Sequence, residues 1–311
     1  MNDKGIFKKG FTLAVLSAAL WGLFGPFLRL MAENGISDIT VTTLAPTIMF
    51  LFFGGWILIK DRSMFKVSWK VLIVLMIHGF VLMNGMNFAY VQAVSRIPVG
   101  IVSLLAFCNV IILMIMERIF KGIKLTKVKI IACSIAVVGV ALVLQIFNLG
   151  TSSLDIMGII WALANSLILA SAYFLISHVY YPNDVSWQAQ LFYPNLFGAL
   201  FLYVTACPPW QMISDIAGAA AQNGAIVWII VLGFAALPQV LSFSWIQMAF
   251  GMIDAPYVSM AYCLEPVVAL IAGFFMFGES MTIVQIIGII LTIVCIFYTY
   301  YAESKEPLPE N

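Results

Sequence analysis

Charge is what this sequence has least of. Only 29 of its 311 residues are Asp, Glu, Lys or Arg, 9% of the chain, where a soluble domain carries about 25%. So few charges cannot cover a globular surface of this size, which excludes a soluble enzyme and a nucleic-acid binder. Histidine is nearly absent: His78 and His178 stand far apart, neither with a ligand partner four residues away, so no metal site is expected. The cysteines Cys108, Cys133, Cys207, Cys263 and Cys295 share no metal-like spacing and lie in or beside apolar stretches. They read as small packed residues without a disulfide framework. No Gly-x-x-x-x-Gly-Lys followed by Ser or Thr occurs, so ATP does not drive the chain directly, and no cofactor is expected.

What the sequence has is apolar length. Hydrophobic residues make up 63% of it and the mean hydropathy is +1.06. With roughly 20 residues per spanning helix, this allows up to about ten spans and leaves nothing for a soluble domain. Charges, Gly/Pro/Asn clusters and Pro-initiated restarts divide the chain at about 11–31, 39–59, 70–93, 98–120, 128–147, 156–178, 187–207, 225–249, 256–277 and 282–301. The first segment follows Lys8 and Lys9 as a signal peptide would. It ends on Arg29 and lacks an Ala-x-Ala type cleavage site, so it counts as a span. The seventh is interrupted by Gln188, Gln190, Pro194 and Asn195.

The basic residues set an orientation. With the N-terminus inside, 13 Lys and Arg fall in cytoplasmic segments, and only Arg29 and Arg96 fall outside. Both termini are then cytoplasmic in the cell membrane. The Arg118–Lys129 loop reads as a topology determinant and anionic-lipid contact.

The chain also repeats itself. Shifted by 156 residues, 93–110 lies over 249–266 and, without a gap, 121–132 lies over 277–288. Ala93, Ile97, Val102, Ser103, Gly122, Thr126, Val128, Ile130 and Ile131 then meet identical residues. Five spans per half is an odd number, so the copies are expected to sit upside down relative to each other, residues 1–147 against 148–311. Inverted repeats are a transporter architecture, with the substrate site near the midplane. The expected fold is an all-α membrane protein of ten transmembrane helices, two inverted five-helix repeats around a central cavity.

The run Leu264-Glu265-Pro266-Val267-Val268-Ala269, then Phe277-Gly278-Glu279-Ser280-Met281-Thr282, then Gln285 and Gly288, resembles the second half of an EamA-type transporter of the drug/metabolite transporter superfamily. Trp21-Gly22 in the first span is similar to the Trp-Gly that family often has there. The chain departs from the pattern in its first half, with Ile123 at the family's Glu position and Val110 at its Pro position. The resemblance implies ten helices and the export or import of a small metabolite, often an amino acid, by alternating access.

The candidate site residues are polar groups inside spans, which are costly to bury without a partner. Glu265 is the one acid near mid-span, read as a proton-coupling or gating site or as the partner of a substrate ammonium. Its bland alternative is an acid bonded to backbone freed by Pro266. Its repeat mate is Asn109. Ser259, Tyr262 and Glu265 recur at i, i+3, i+6 and predict one helix face. Asn84 and Asn87 in the third span are neighbours in the same way; both faces are expected on a shared cavity, against the alternative of an amide clamp between helices. Gln239 and Ser242 follow Pro238, where a broken helix exposes carbonyls or merely kinks. Trp21, Phe107, Trp161 and Asn165 complete the substrate-binding set, since aromatic walls suit an apolar side chain; Trp161 equally suits an interface anchor. His78 is a candidate proton relay. The expected function is secondary transport, the export of an amino acid or amine. The alternative is import or exchange of a sugar, nucleoside or cofactor precursor. An integral membrane enzyme would need clustered His, Asp or Ser, and a channel would need charge rings; the sequence has neither, and the chain is not expected to be an enzyme. The partners expected are a small-molecule substrate and the lipid bilayer, with a homodimer left open.

Overall fold

The computed structural model describes residues 3–148 and 155–305. Among them the chain is helical, without a strand. The helices are α1 (Lys4–Glu33), α2 (Asp38–Lys60), α3 (Trp69–Val94), α4 (Gly100–Lys121), α5 (Lys127–Val143), α6 (Ile156–Asn183), α7 (Trp187–Thr205), α8 (Pro209–Asn223), α9 (Ile226–Phe250), α10 (Ala255–Phe277) and α11 (Ile283–Ala302). Side-chain caps start several of them: Ser37 accepts from Thr40 N–H, Thr126 from Lys129 N–H and Asp155 from Met157 N–H, at 3.4, 3.2 and 2.8 Å.

Eight of these helices are long and apolar enough to cross a membrane, or nine if the bent pair α7–α8 is one span. That differs from the expected ten in two places. The predicted 128–147 span stops at Val143 after 17 residues, about 25 Å, because Gln145 takes φ 50° and turns the chain away. The predicted 187–207 span is α7, whose Gln188, Gln190, Pro194 and Asn195 are buried rather than apolar, and which bends by 84° into α8. Helix α8 itself stands where the sequence predicts a loop. It buries Met212, Ile216 and Ala219 and is tied to the start of α2, where the Asp215 carboxylate accepts from Ser37 N–H at 3.1 Å and from its hydroxyl at 2.8 Å. The start of the second predicted half, 149–154, and the end of the predicted C-terminal tail, 306–311, lie outside the described residues.

Several helices are interrupted, and the interruptions recur 156 residues apart. Widened π turns occupy His78–Met83 in α3 and Ala235–Leu241 in α9; adding 156 to the first range gives 234–239. Helix α4 breaks at Phe107 and α10 at Tyr262–Cys263. Helix α1 breaks at Gly22–Leu23, and its counterpart α6 carries a π turn at Ile176–Tyr180. Gly122 and Gly278 end α4 and α10 at φ 70° and 67°, the left-handed conformation that glycine adopts without a Cβ clash. Packing follows the same exchange. Helix α2 packs on α7, α5 on α11, α1 on α9 and α3 on α6, while α4 packs on α6 as α10 does on α1. Exchanging α1–α5 in order with α6, α7, α9, α10 and α11 leaves this set unchanged.

Two apolar cores hold the ends. One gathers Phe7, Phe11, Leu75, Leu113, Tyr180 and Tyr257 near the Lys-rich loops, and we call this the basic end. The other gathers Met31, Ile36, Leu44, Met212 and Phe234 at the far end. Ile59, Val204, Trp210, Phe275 and Ile283 are three-quarters exposed or close to it. An apolar surface on that scale is a lipid-facing one.

Candidate functional site

The interior polar groups sort by which helices they join. Ser17 on α1 donates to the Ser242 carbonyl on α9 at 2.7 Å and meets the Tyr262 hydroxyl on α10 at 2.7 Å; Ser242 donates back to the Ser17 carbonyl at 2.9 Å. All three residues are buried. Gly22, at the break in α1, approaches the Glu265 carbonyl so closely that a Cβ would collide with it. These contacts bind α1, α9 and α10 together. A second group forms around α6. Asn165 donates to the Met86 carbonyl on α3 at 2.9 Å, Ser166 to the Leu105 carbonyl on α4 at 2.5 Å, and Tyr180 meets His78 Nδ1 on α3 at 2.9 Å.

The two groups meet at the basic end. There the second part of α4 (Cys108–Lys121) packs on the first part of α10 (Ala255–Ala261), and Ser259 donates to the Asn109 side-chain oxygen. Beyond the breaks, the first part of α4 (Val99–Ala106) packs on α6 while the second part of α10 (Leu264–Phe277) packs on α1 and α5; these two parts do not pack closely on each other. Glu265 stands where the two groups part. Its side chain is part-exposed, with Tyr90 of α3, Tyr173 of α6 and Tyr262 within electrostatic reach of its carboxyl. Among the described residues, no hydrogen bond or ion pair to that carboxyl forms. A cavity of about 10 Å³, room for a single water, lies just on the basic side between Phe107, Cys133, Ser259 and Cys263.

The structure therefore brings Asn109, Ser259, Tyr262, Phe107 and Glu265 together but does not keep Ser259, Tyr262 and Glu265 on one face. The break at Tyr262–Cys263 turns Ser259 to α4 and Tyr262 to α1. Asn84 donates to the carbonyls of Gly79 and Phe80, at 2.9 and 3.2 Å, in the π turn that it ends, while Asn87 is exposed. The pair thus has no common partner. Trp21 stacks on Phe24 and meets Phe243 edge-on, at 4.6 and 5.0 Å between centroids, and Trp161 meets Phe88 edge-on at 5.5 Å. Gln239 is buried with its Nε2 unpaired among the described residues. His78 is buried, with its Nδ1 bonded to Tyr180. Ser17, Tyr90 and Tyr173 were not predicted. A serine four residues before Trp21 in an apolar run is a usable signal; two tyrosines among eleven carry none.

Ion pairs stand at both ends. At the basic end His178 meets Glu117 at 3.0 Å, linking α6 to α4, and Lys129 meets Asp254 at 2.9 Å beneath the Tyr257 ring. At the far end Arg29 of α1 meets Glu33 at 2.9 Å and Glu279, just after α10, at 2.7 Å, and lies over Phe277. Among the described residues no group of three His, Cys, Asp or Glu side chains is placed to hold a metal ion.

An apolar-surfaced bundle of spanning helices, built as two sets with the same internal breaks and a carboxyl between them, is a multi-pass membrane protein of the transporter class. The chain belongs to the EamA-like transporter family, whose model matches residues 8–145 and 156–301. No curated protein matches it. A solved structure titled only "Crystal structure of protein" is similar in fold, with a TM-score of 0.71 at 14% identity over 94% of this chain and 96% of that one.

Proposed function

We propose that this protein is a secondary transporter that exports an amino acid or amine across the cell membrane by alternating access. In this reading ten helices cross the bilayer, α8 lies outside the count, and residues 1–147 and 148–311 are two five-helix repeats in opposite orientations. The basic end and both termini face the cytoplasm, as the 13-to-2 distribution of Lys and Arg favours. The observation that carries the reading is the Glu265 carboxyl, without a hydrogen bond among the described residues, at the point where two helix groups joined at the basic end separate. A mid-span acid without a partner is costly unless a substrate or proton uses it. Asn109, Phe107, Ser259 and Tyr262 form the floor beneath it; Trp21, Trp161, Asn84, Asn87, Asn165, Gln239 and Ser242 line or support the path, and His78 braces α3 against α6.

The test is counterflow in proteoliposomes between pH 5.5 and 8.5. Glu265→Gln keeps the side chain's size and removes its ionisation, so folding changes little. Transport is expected to fall at least ten-fold or to lose its pH dependence. Wild-type rates with the wild-type pH profile would reduce Glu265 to a structural residue and sink the coupling role.

A further inference from the structure

We infer that the site selects a cationic amine that carries no carboxylate, rather than a zwitterionic amino acid. The inference rests on the transport reading above and narrows its substrate class.

The argument is one of charge complementarity at the point where the helix groups part. Glu265 offers a negative group, and three phenol rings, Tyr90, Tyr173 and Tyr262, stand within its electrostatic reach. A carboxylate without a partner recognises an ammonium by direct, charge-assisted pairing, and phenol groups nearby add polar oxygens for the same N–H donors. A zwitterion also needs a cationic partner for its carboxylate, and among the described residues no unpaired Lys, Arg or His side chain lies beside Glu265. Arg29 is paired with Glu33 and Glu279. Arg96 is held by Gln92 and Asp155. Lys129 is paired with Asp254 and His178 with Glu117, and His78 is bonded to Tyr180. The remaining Lys and Arg lie at the basic end, at helix termini or in loops.

Broken helices supply a second kind of anion site, through freed backbone N–H groups. Here the chain satisfies several of them itself. Leu23 N–H bonds to the Leu20 carbonyl at 3.2 Å, Val110 to Phe107 at 3.2 Å, Cys263 to Met260 at 3.1 Å and Glu265 to Tyr262 at 3.0 Å. The second part of α10 moreover opens with Glu265 itself, whose charge repels a second carboxylate. Burying a substrate carboxylate here without a partner costs several-fold more than burying an amine beside Glu265.

Matched probes test this: phenethylamine against phenylalanine, cadaverine against lysine, and histamine against histidine. Each is titrated calorimetrically into the purified full chain in nanodiscs at pH 7.5. In at least one pair the amine is expected to bind ten-fold or more tightly than its amino acid. Glu265→Gln is expected to weaken that amine at least ten-fold, and Glu265→Asp, which keeps the charge, to retain part of the affinity. Melting temperatures establish that both variants are folded. Tighter binding of the amino acid in the pairs that bind, an unchanged amine affinity in Glu265→Gln, or no binding by any amine overturns the inference. Counterflow of an amino acid in the same preparation would then leave the transport reading intact and remove only the amine class.

Discussion

Side chains that look alike in sequence differ here in which bodies they join. Tyr262 and Ser259 are three residues apart, yet the first bonds Ser17 within the group of α1, α9 and α10, while the second bonds Asn109 across to α4. Tyr262→Phe removes one hydrogen bond and leaves Ser17 still paired with Ser242, so it is expected to cost about 1 kcal/mol and to lower the melting temperature slightly without changing transport direction or specificity. Ser259→Ala is expected to cost similar stability but to alter the transport rate by several-fold, because the bond it deletes spans the two groups. Equal effects on rate from both substitutions, measured by counterflow, would show that the grouping has no functional meaning. The sequence made both residues visible as polar groups at helical spacing. It could not show their different partners, since a break in the helix leaves no mark in a pattern of i, i+3, i+6.

At the scale of the element, the spans were legible from apolar length and their interruptions mostly were not. Gly22 and Pro238 hint at two of them, but the π turn at His78–Met83 contains no proline, and its stability comes from tertiary packing and from Asn84 donating to the carbonyls it frees. Helix α8 was missed because its buried stripe is short, Met212, Ile216 and Ala219 amid Ala, Gln and Gly, and because the charge that fixes it, Asp215, has its partner Ser37 far away in sequence. Trp210 and Ile213 remain exposed on its other side, as do Trp228, Ile229 and Leu232 on the neighbouring α9. Trp210 fluorescence is therefore expected to be quenched by brominated lipid in the leaflet at the far end; quenching equal to that by an aqueous quencher would put α8 in water. The terminating glycines are the clearer signal. Gly278 sits at φ 67°, where a Cβ costs about 1–2 kcal/mol. Gly278→Ala is expected to lower the melting temperature while leaving α10 in place, and an unchanged melting point would mean that the turn relaxes to another conformation.

The whole molecule combines two sets of helices that share one arrangement of breaks and pairings. The internal repeat at a shift of 156 is readable in the residues themselves, because its register runs through the α4–α5 loop without a gap. The closed basic end and the parted far end are not readable there. They depend on which half of α4 meets which half of α10, and both halves are equally apolar. Two measurements bear on this scale. If the basic end is cytoplasmic, cysteines placed near Lys66 and Lys124 are expected to resist impermeant label in intact cells while those near Asp38 and Asn223 react; the reverse pattern would invert the molecule. The stronger test concerns motion. Alternating access requires the present closure to open, so the second part of α4 and the first part of α10 must separate where Ser259 and Asn109 now bond. Asn109 and Ser259 touch across the two helices through their side-chain ends, which brings cysteines at these positions within a small helix movement of the roughly 4 Å Cβ separation of a disulfide. In a background with the five native cysteines replaced by serine or alanine, the pair Asn109→Cys and Ser259→Cys is expected to oxidise readily. Its oxidation should slow counterflow at least ten-fold, and dithiothreitol should restore the rate, whereas either single cysteine should transport equally under both conditions. A crosslinked protein that transports as fast as its reduced form would mean that α4 and α10 stay together through the cycle, and that the substrate path opens elsewhere than between these two helix groups.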